Sequence, residues 1–412
     1  MSEKIESERG SLLGGILLLS GCCIGGGMLA LPIIAGLSGF IPSTVAMLLV
    51  WGLMIVSALF LLEAMVTNKG SYDLLLLVEQ TLGKWGKKVV NTSFLFLFFS
   101  LIICYLAKGG EFLNSTFQSL KFPVVNMWGP LFLAVSSACV ISLGTKFVDH
   151  LNKIMMFVLF LAYFSLMYQG DSELYHTEYL FYQNWRMLYL AVPFLITSFG
   201  FHNMIPTLRE YTNDNVGQMV KMIVFGGLIP FVFYFLWVMK SLLIVPLHGD
   251  TSIFQSYLNG DIITSSLARI SSSRTLSILA SYFAFFAIST SLLTQSLSVL
   301  KFFKMSRYSS KVNLSDFWIS LLVFMPCLAL SQTIPNVFYS LLEVVGGILA
   351  VILFGIIPSL MVWKLRYVCR ETTTRIVPGG KVVVLLVFVL FLAVLVFETL
   401  KTIGLGVLDL PI

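Results

Sequence analysis

Long apolar runs alternate along the chain with short polar or charged connections. Bounded by charges or by Pro and Gly clusters, these runs cover 11–34, 41–66, 88–107, 127–146, 151–169, 187–207, 221–245, 275–300, 315–331, 336–363 and 382–400. A helix needs about 20 apolar residues to cross the hydrocarbon core of a bilayer, so the pattern predicts an all-α polytopic membrane protein with about eleven transmembrane helices. The run 336–363 is long enough to be tilted or bent, with Gly346-Gly347 as the expected point of bending. The first run lacks a cleavage site and is too long for a secretory signal. It is expected to remain as the first span, behind a polar cytoplasmic tail at 1–10.

Composition agrees with the pattern. Of 412 residues, 58% are hydrophobic and 11% are charged, against about 25% charged in ordinary soluble domains. The net charge of +6 would suggest nucleic acid in a soluble protein, but its distribution gives another meaning. With the N-terminus inside, 19 of the 26 basic residues fall on the inner side, and seven (Lys108, Lys121, Arg186, Lys240, Arg269, Arg274, Lys401) fall outside. This is the bias by which Lys and Arg are retained in the cytoplasm, so no nucleic-acid partner is expected. The six cysteines lie mostly in apolar runs without metal-ligand spacing and read as small buried thiols. No metal or cofactor site is expected.

Two features interrupt the helical pattern. The first span carries Ser20-Gly21-Cys22-Cys23-Ile24-Gly25-Gly26-Gly27, and each glycine costs about 1 kcal/mol relative to Ala inside a helix. The sixth carries Thr197-Ser198-Phe199-Gly200-Phe201-His202-Asn203. Gly26 to Pro32 and Gly200 to Pro206 share the form G-x5-P at an offset of 174 residues. Five spans separate the copies, and an odd number reverses direction, as in an inverted-topology repeat. Close helix packing is one role for such glycines. Paired breaks at corresponding places point instead to a transporter site, where freed N–H groups hold a carboxylate and freed carbonyls hold an ammonium or a cation.

The runs GGGMLALP (Gly25 to Pro32) and TSFGFH (Thr197 to His202) followed by Pro206 also carry a resemblance. With them go Gly144-Thr145-x-x-Val148-Asp149 and Tyr105-x5-Glu111. Together they resemble the bacterial hydroxy and aromatic amino acid permeases of the amino acid–polyamine–organocation superfamily, over nearly the whole chain. The resemblance implies a leucine-transporter-like fold of five plus five inverted spans with discontinuous first and sixth helices. The repeats would occupy 11–170 and 171–366, followed by a cytoplasmic loop, span 11 and a short tail at 367–412. It also implies a multi-pass protein of the bacterial inner membrane that imports aromatic amino acids, tyrosine foremost, with protons. Carried onto this sequence, it puts the substrate carboxylate near Ile24, Gly25 and Gly26. The amine falls near carbonyls around Ser20, Cys22, Ser198 and Phe199, beside Gly200. The side-chain pocket would draw on Tyr105, Phe199, Phe201, Ser289, Thr290 and Thr294.

Ionisable residues within spans are candidates for proton coupling. Glu343 reads as the most interior acid, and Glu111 lies near Lys108 and could serve pairing or coupling. Glu63 reads as a solvated cap at the inner end of span 2. His202 could change charge near neutral pH or serve as a hydrogen-bonding structural histidine. Span 5 has no internal Lys, the residue that some proton-coupled relatives of this fold use there, which keeps sodium as the rival coupling ion. A membrane-embedded enzyme lacks support, because no HExxH or Gly-x-Ser-x-Gly occurs and His150, His176, His202 and His248 are scattered. A channel would want a filter-like repeat or charged rings, which are absent too. Tyrosine against tryptophan or phenylalanine, stoichiometry and oligomeric state stay open at this level.

Overall fold

The computed structural model describes residues 11–68, 73–122, 125–169, 174–271, 273–305, 315–333, 337–370 and 375–404. The expected tail at 1–10 lies outside the described residues, as do residues 405–412 of the C-terminal tail. The described elements are helical: α1 (Leu12–Cys23), α2 (Leu31–Ser38), α3 (Phe40–Thr67), α4 (Leu74–Ser119), α5 (Trp128–Ser142), α6 (Thr145–Tyr168), α7 (Leu188–Ser198) and α8 (Ile205–Thr212). They continue with α9 (Val216–Ile244), α10 (Ile253–Asn259), α11 (Ile263–Ile270), α12 (Arg274–Met305), α13 (Asp316–Thr333), α14 (Val337–Val344), α15 (Ile357–Trp363) and α16 (Gly380–Thr402).

Among the described residues, nine helical segments are long and apolar enough to cross a membrane. The expected first and fourth spans are instead represented by shorter apolar helices, Leu12–Cys23 and Trp128–Ser142. Large apolar side chains such as Leu49, Phe96, Phe157, Leu322 and Val382 are exposed on the outside of the bundle, which is the surface a lipid environment covers. The protein is a multi-pass membrane protein.

Local chemistry explains where helices begin. Ser11 Oγ accepts from Gly14 N at 3.0 Å, Asp73 from Leu75 N at 2.9 Å, and Asn215 from Gln218 N at 3.1 Å, each satisfying a donor that a helix start leaves free. After the two interruptions, α2 and α8 both restart with a proline in the first turn, Pro32 and Pro206, where the missing N–H costs nothing. The third span extends well beyond 88–107. α4 runs for 46 residues with a kink at Gly83, whose φ of 82° favours glycine.

The tenth span departs from expectation in kind. Gly346-Gly347 does not make a simple bend; Val345–Ile356 is a π-helical stretch between α14 and α15. A Cβ on Gly346 would lie 1.9 Å from the Pro193 carbonyl oxygen of α7, and one on Gly347 would lie 2.3 Å from Glu398 Cγ of α16. These glycines let three helices meet closely. The main packing partners are α1 with α9, α6 with α12, α4 with α5 and α12, and the π-helical stretch with α7 and α16.

Candidate functional site

Both interruptions occur where expected. α1 stops at Cys23, Ile24 and Gly25 are extended, and a short 3-10 turn covers Gly26–Leu29 before α2. α7 ends at Ser198, and a 3-10 turn at His202–Met204 leads into α8. The two are joined from behind: Tyr234 Oη of α9 lies 2.7 Å from the Cys23 carbonyl and 3.1 Å from the Ser198 carbonyl. Trp237 Nε1 donates to the Met28 carbonyl at 3.1 Å. Sequence reasoning missed Tyr234 and Trp237, because nothing in α9 marks them apart from other aromatics.

A central cavity lies between the interruptions and is walled by α4, α6, α12 and the π-helical stretch. Of the expected site residues it is lined by Cys22, Ile24, Gly25, Gly26, Tyr105, Ser198, Gly200, Thr290 and Thr294. Gly26 N–H donates to Ser291 Oγ at 2.8 Å. A Cβ on Gly25 would sit 2.3 Å from Ser291 Oγ, and one on Gly26 would sit 2.5 Å from Tyr105 Cε1. The glycines are therefore required by close approach to α12 and α4. One wall is apolar, formed by Phe94, Leu97, Phe98 and Leu101 of α4, with the Phe94 and Phe98 rings stacked at 5.7 Å. Asn152 and Met156 of α6, Asn203 after the second break, and Ser291 and Gln295 of α12 also line the cavity.

Four expected residues do not line it. Ser20 turns away, its hydroxyl donating to Ile16 O at 2.7 Å or Gly226 O at 3.0 Å, while its carbonyl accepts from Ile24 N–H at 3.1 Å. That bond also commits the Ile24 N–H expected for a carboxylate. Phe199 packs against Tyr234 at 5.3 Å, and Phe201 stacks on His202 at 5.4 Å; both rings are fully buried behind the break. Ser289 misses the cavity for a helical reason: one face of α12 carries Thr290, Ser291, Thr294 and Gln295, and residue 289 is rotated out of it.

The ionisable residues are rearranged relative to expectation. Glu63 is not solvated. It is 1% exposed and binds Arg366 through both oxygens at 2.5 Å, while Oε2 also accepts from Ile376 N–H at 2.8 Å. Nearby, Arg209 of α8 donates to the Met65 carbonyl at 2.8 Å. Glu343 is not the most interior acid: it pairs with Lys401 near the C-terminal end of α16 and is partly exposed. Glu398, one turn earlier on α16 and not singled out from sequence, is 3% exposed, and its Oε1 has no partner among the described residues. Glu111 is an exposed partner of buried Lys108 at 2.6 Å. His202 does not serve as a hydrogen-bonding structural histidine: it is buried, neither ring nitrogen has a partner among the described residues, and it stacks on Phe354 at 4.9 Å. Phe354 in turn lines the cavity.

Lys153, in the N-terminal part of α6, is exposed and paired with Asp149. Lys240 reaches the carbonyls of Leu166, Met167 and Gln169 at 2.5, 3.1 and 2.6 Å, a cap on the C-terminus of α6. The thiols divide: Cys23, Cys104 and Cys327 are buried, Cys22 is intermediate, and Cys139 and Cys369 are exposed. Among the described residues, no group of three His, Cys, Asp or Glu is placed to hold a metal.

A broken-helix cavity of this kind can hold the charged backbone of an amino acid beside an apolar wall. Comparison with known proteins points the same way. The chain is 27% identical to the tryptophan-specific transport protein of Shigella flexneri, covering 92% of each chain. It is also 27% identical to tyrosine-specific transport system 1 of Haemophilus influenzae, over 92% of this chain and 94% of that one. Against the low affinity tryptophan permease of Proteus vulgaris it is 26% identical, over 92% of each. Residues 8–398 match the tryptophan/tyrosine permease family, a family of transport proteins, and the chain belongs to it.

Proposed function

We propose that this protein is a secondary importer of aromatic amino acids, tyrosine foremost, that works by proton symport with alternating access in the bacterial inner membrane. The observation that carries the reading is the pair of interrupted helices facing one cavity with an aromatic wall. The Gly25 N–H, without a partner among the described residues, and the positive start of the Gly26–Leu29 turn suit the substrate carboxylate. Carbonyls at the end of α1 and of α7 suit the amine, since each oxygen can accept a second hydrogen bond. The ring then lies against Phe94 and Phe98, and Tyr105 closes the site over Gly26.

In this reading the protein has eleven spans: the nine long segments, the interrupted α1–α2 segment and α5. The N-terminus is cytoplasmic, and 11–170 and 171–366 form inverted halves that rock against each other. His202 is the favoured coupling site, because its unpartnered imidazole contacts the cavity wall through Phe354, whereas Glu111 and Glu343 are committed to ion pairs. Purified protein in liposomes tests this. Radiolabelled tyrosine should accumulate under an imposed inward proton gradient, and a protonophore should abolish accumulation. Uptake that follows a sodium gradient and ignores the protonophore would refute proton coupling, and absence of saturable uptake of any aromatic amino acid would refute the substrate class. Gly26→Leu should abolish uptake, since the added side chain occupies the space of the Tyr105 ring.

A further inference from the structure

The polar side chains around the cavity are mostly committed to the protein. Thr290 and Thr294 hydroxyls donate to carbonyls of their own helix at 2.8 Å. Ser291 Oγ is held by the Gly26 N–H. Asn203 Oδ1 accepts from the Cys22 thiol at 3.8 Å. Two amides differ: Asn152 Oδ1 and Gln295 Oε1 are buried and have no hydrogen-bond partner among the described residues, although both side chains line the cavity. They come from α6 and α12, which pack directly against each other. Asn152 lies one turn before Met156, and Gln295 one turn after Ser291, so each helix turns a single face toward the same space.

An amide oxygen buried without a partner beside a low-dielectric cavity is costly, and a ligand that supplies a donor removes the cost once the amide turns toward it. The cavity therefore has three chemistries: backbone groups at the helix breaks, an apolar wall on α4 and unsatisfied amides on α6 and α12. We propose that Asn152 and Gln295 recognise a hydrogen-bond donor on the substrate's aromatic side chain, the phenol O–H of tyrosine or the indole N–H of tryptophan, and so select against phenylalanine. This rests on the transport reading above and specifies its substrate. The physical basis is asymmetric discrimination: a site built to bond a hydroxyl or N–H rejects the analogue lacking it, because the analogue leaves buried polar groups unpaired.

The test uses wild-type protein in liposomes, with inward gradients of both protons and sodium so that the identity of the coupling ion does not matter. Initial uptake of tyrosine, tryptophan, phenylalanine and 4-fluorophenylalanine is compared. The last is close to tyrosine in size but has no donor. Phenylalanine and 4-fluorophenylalanine should each fall at least about tenfold below tyrosine in uptake efficiency. Asn152→Leu and Gln295→Met, which keep side-chain volume and remove the amide, should lower tyrosine and tryptophan uptake while phenylalanine uptake is kept. Phenylalanine transport then doubles as proof that the variants fold. Equal wild-type uptake of tyrosine and 4-fluorophenylalanine would overturn the proposal and leave aromatic transport standing. A variant that lowers all four substrates by one common factor would overturn it too. Absence of uptake of every aromatic substrate would instead remove the transport reading and this inference with it.

Discussion

At the first helix interruption the backbone itself meets the cavity, through Gly25, Gly26 and Gly27. At the second, Thr197, Ser198, Gly200 and Asn203 do so while Phe199 and Phe201 turn away into the protein. The difference follows from what stands opposite. Ser291 Oγ and the Tyr105 ring approach the first break so closely that a Cβ at Gly25 or Gly26 has no room. The second break is braced by rings, Phe199 on Tyr234 behind it and Phe201 on His202 on the cavity-lining Phe354, and by Gly346, which lets the π-helical stretch touch the Pro193 carbonyl. The first break is thus specified by absence of side chains alone, and the second by aromatic packing together with Gly200, where a Cβ would meet the Phe354 ring at 2.8 Å and the Thr197 carbonyl at 2.9 Å. Tyr234 Oη, within hydrogen-bonding distance of both, makes them one unit.

Substitutions can separate the two designs. The largest effect is expected from Gly346→Ala, because its methyl group would meet a backbone oxygen at 1.9 Å. It should cost about 3 kcal/mol or more, visible as a fall in the melting temperature of detergent-solubilised protein and in the yield of folded protein. Gly26→Ala meets only a side chain, the Tyr105 ring. It should fold with near-normal yield and lose roughly ten- to a hundredfold in uptake efficiency, as misplacement of a binding group does. If Gly26→Ala transported normally, the close approach at the first break would have no functional weight.

Tyr234→Phe sharpens the claim that the breaks are coupled. Loss of a hydroxyl that serves two buried carbonyls should cost about 2 kcal/mol and should change the KM for substrate as well as stability. A variant with lower stability and an unchanged KM would reduce Tyr234 to a packing role. The smallest effect belongs to Phe201→Leu, which trims a ring that does not reach the cavity. About 1 kcal/mol of stability should be lost, with uptake within about twofold of wild type, since a fold-change of two is under 0.5 kcal/mol. A large change in substrate preference for this variant would return Phe201 to the pocket.

Much of the architecture was legible beforehand for reasons that act along the chain. The apolar runs had to be helices, because backbone groups in hydrocarbon must be bonded within the segment. The interruptions could be placed because glycines and a proline at fixed spacing break and then restart a helix wherever it sits. Side-chain direction at the breaks was not legible. Phe199 and Phe201 flank Gly200 in sequence, yet their rings depend on where α9 and the π-helical stretch stand. The charge pairs between distant segments were hidden for the same reason. Glu63 and Arg366 are 303 positions apart, and Glu63 next to an inner loop looks solvated until its partner is known. The Lys401 that engages Glu343 is likewise on a different helix.

What the chain determined by itself is local: which stretches are apolar enough to leave water, and where helices stop. These follow from transfer energies and backbone conformational costs that each segment carries alone. The tertiary structure decided the rest. It turned Ser20, Ser289, Phe199 and Phe201 away from the cavity and brought Asn152 and Gln295 to it with their oxygens unpaired. It also converted Glu63 from a surface residue into half of a buried ion pair. Whether a polar group is satisfied depends on atoms contributed by distant segments, and only packing of the helices determines which atoms those are.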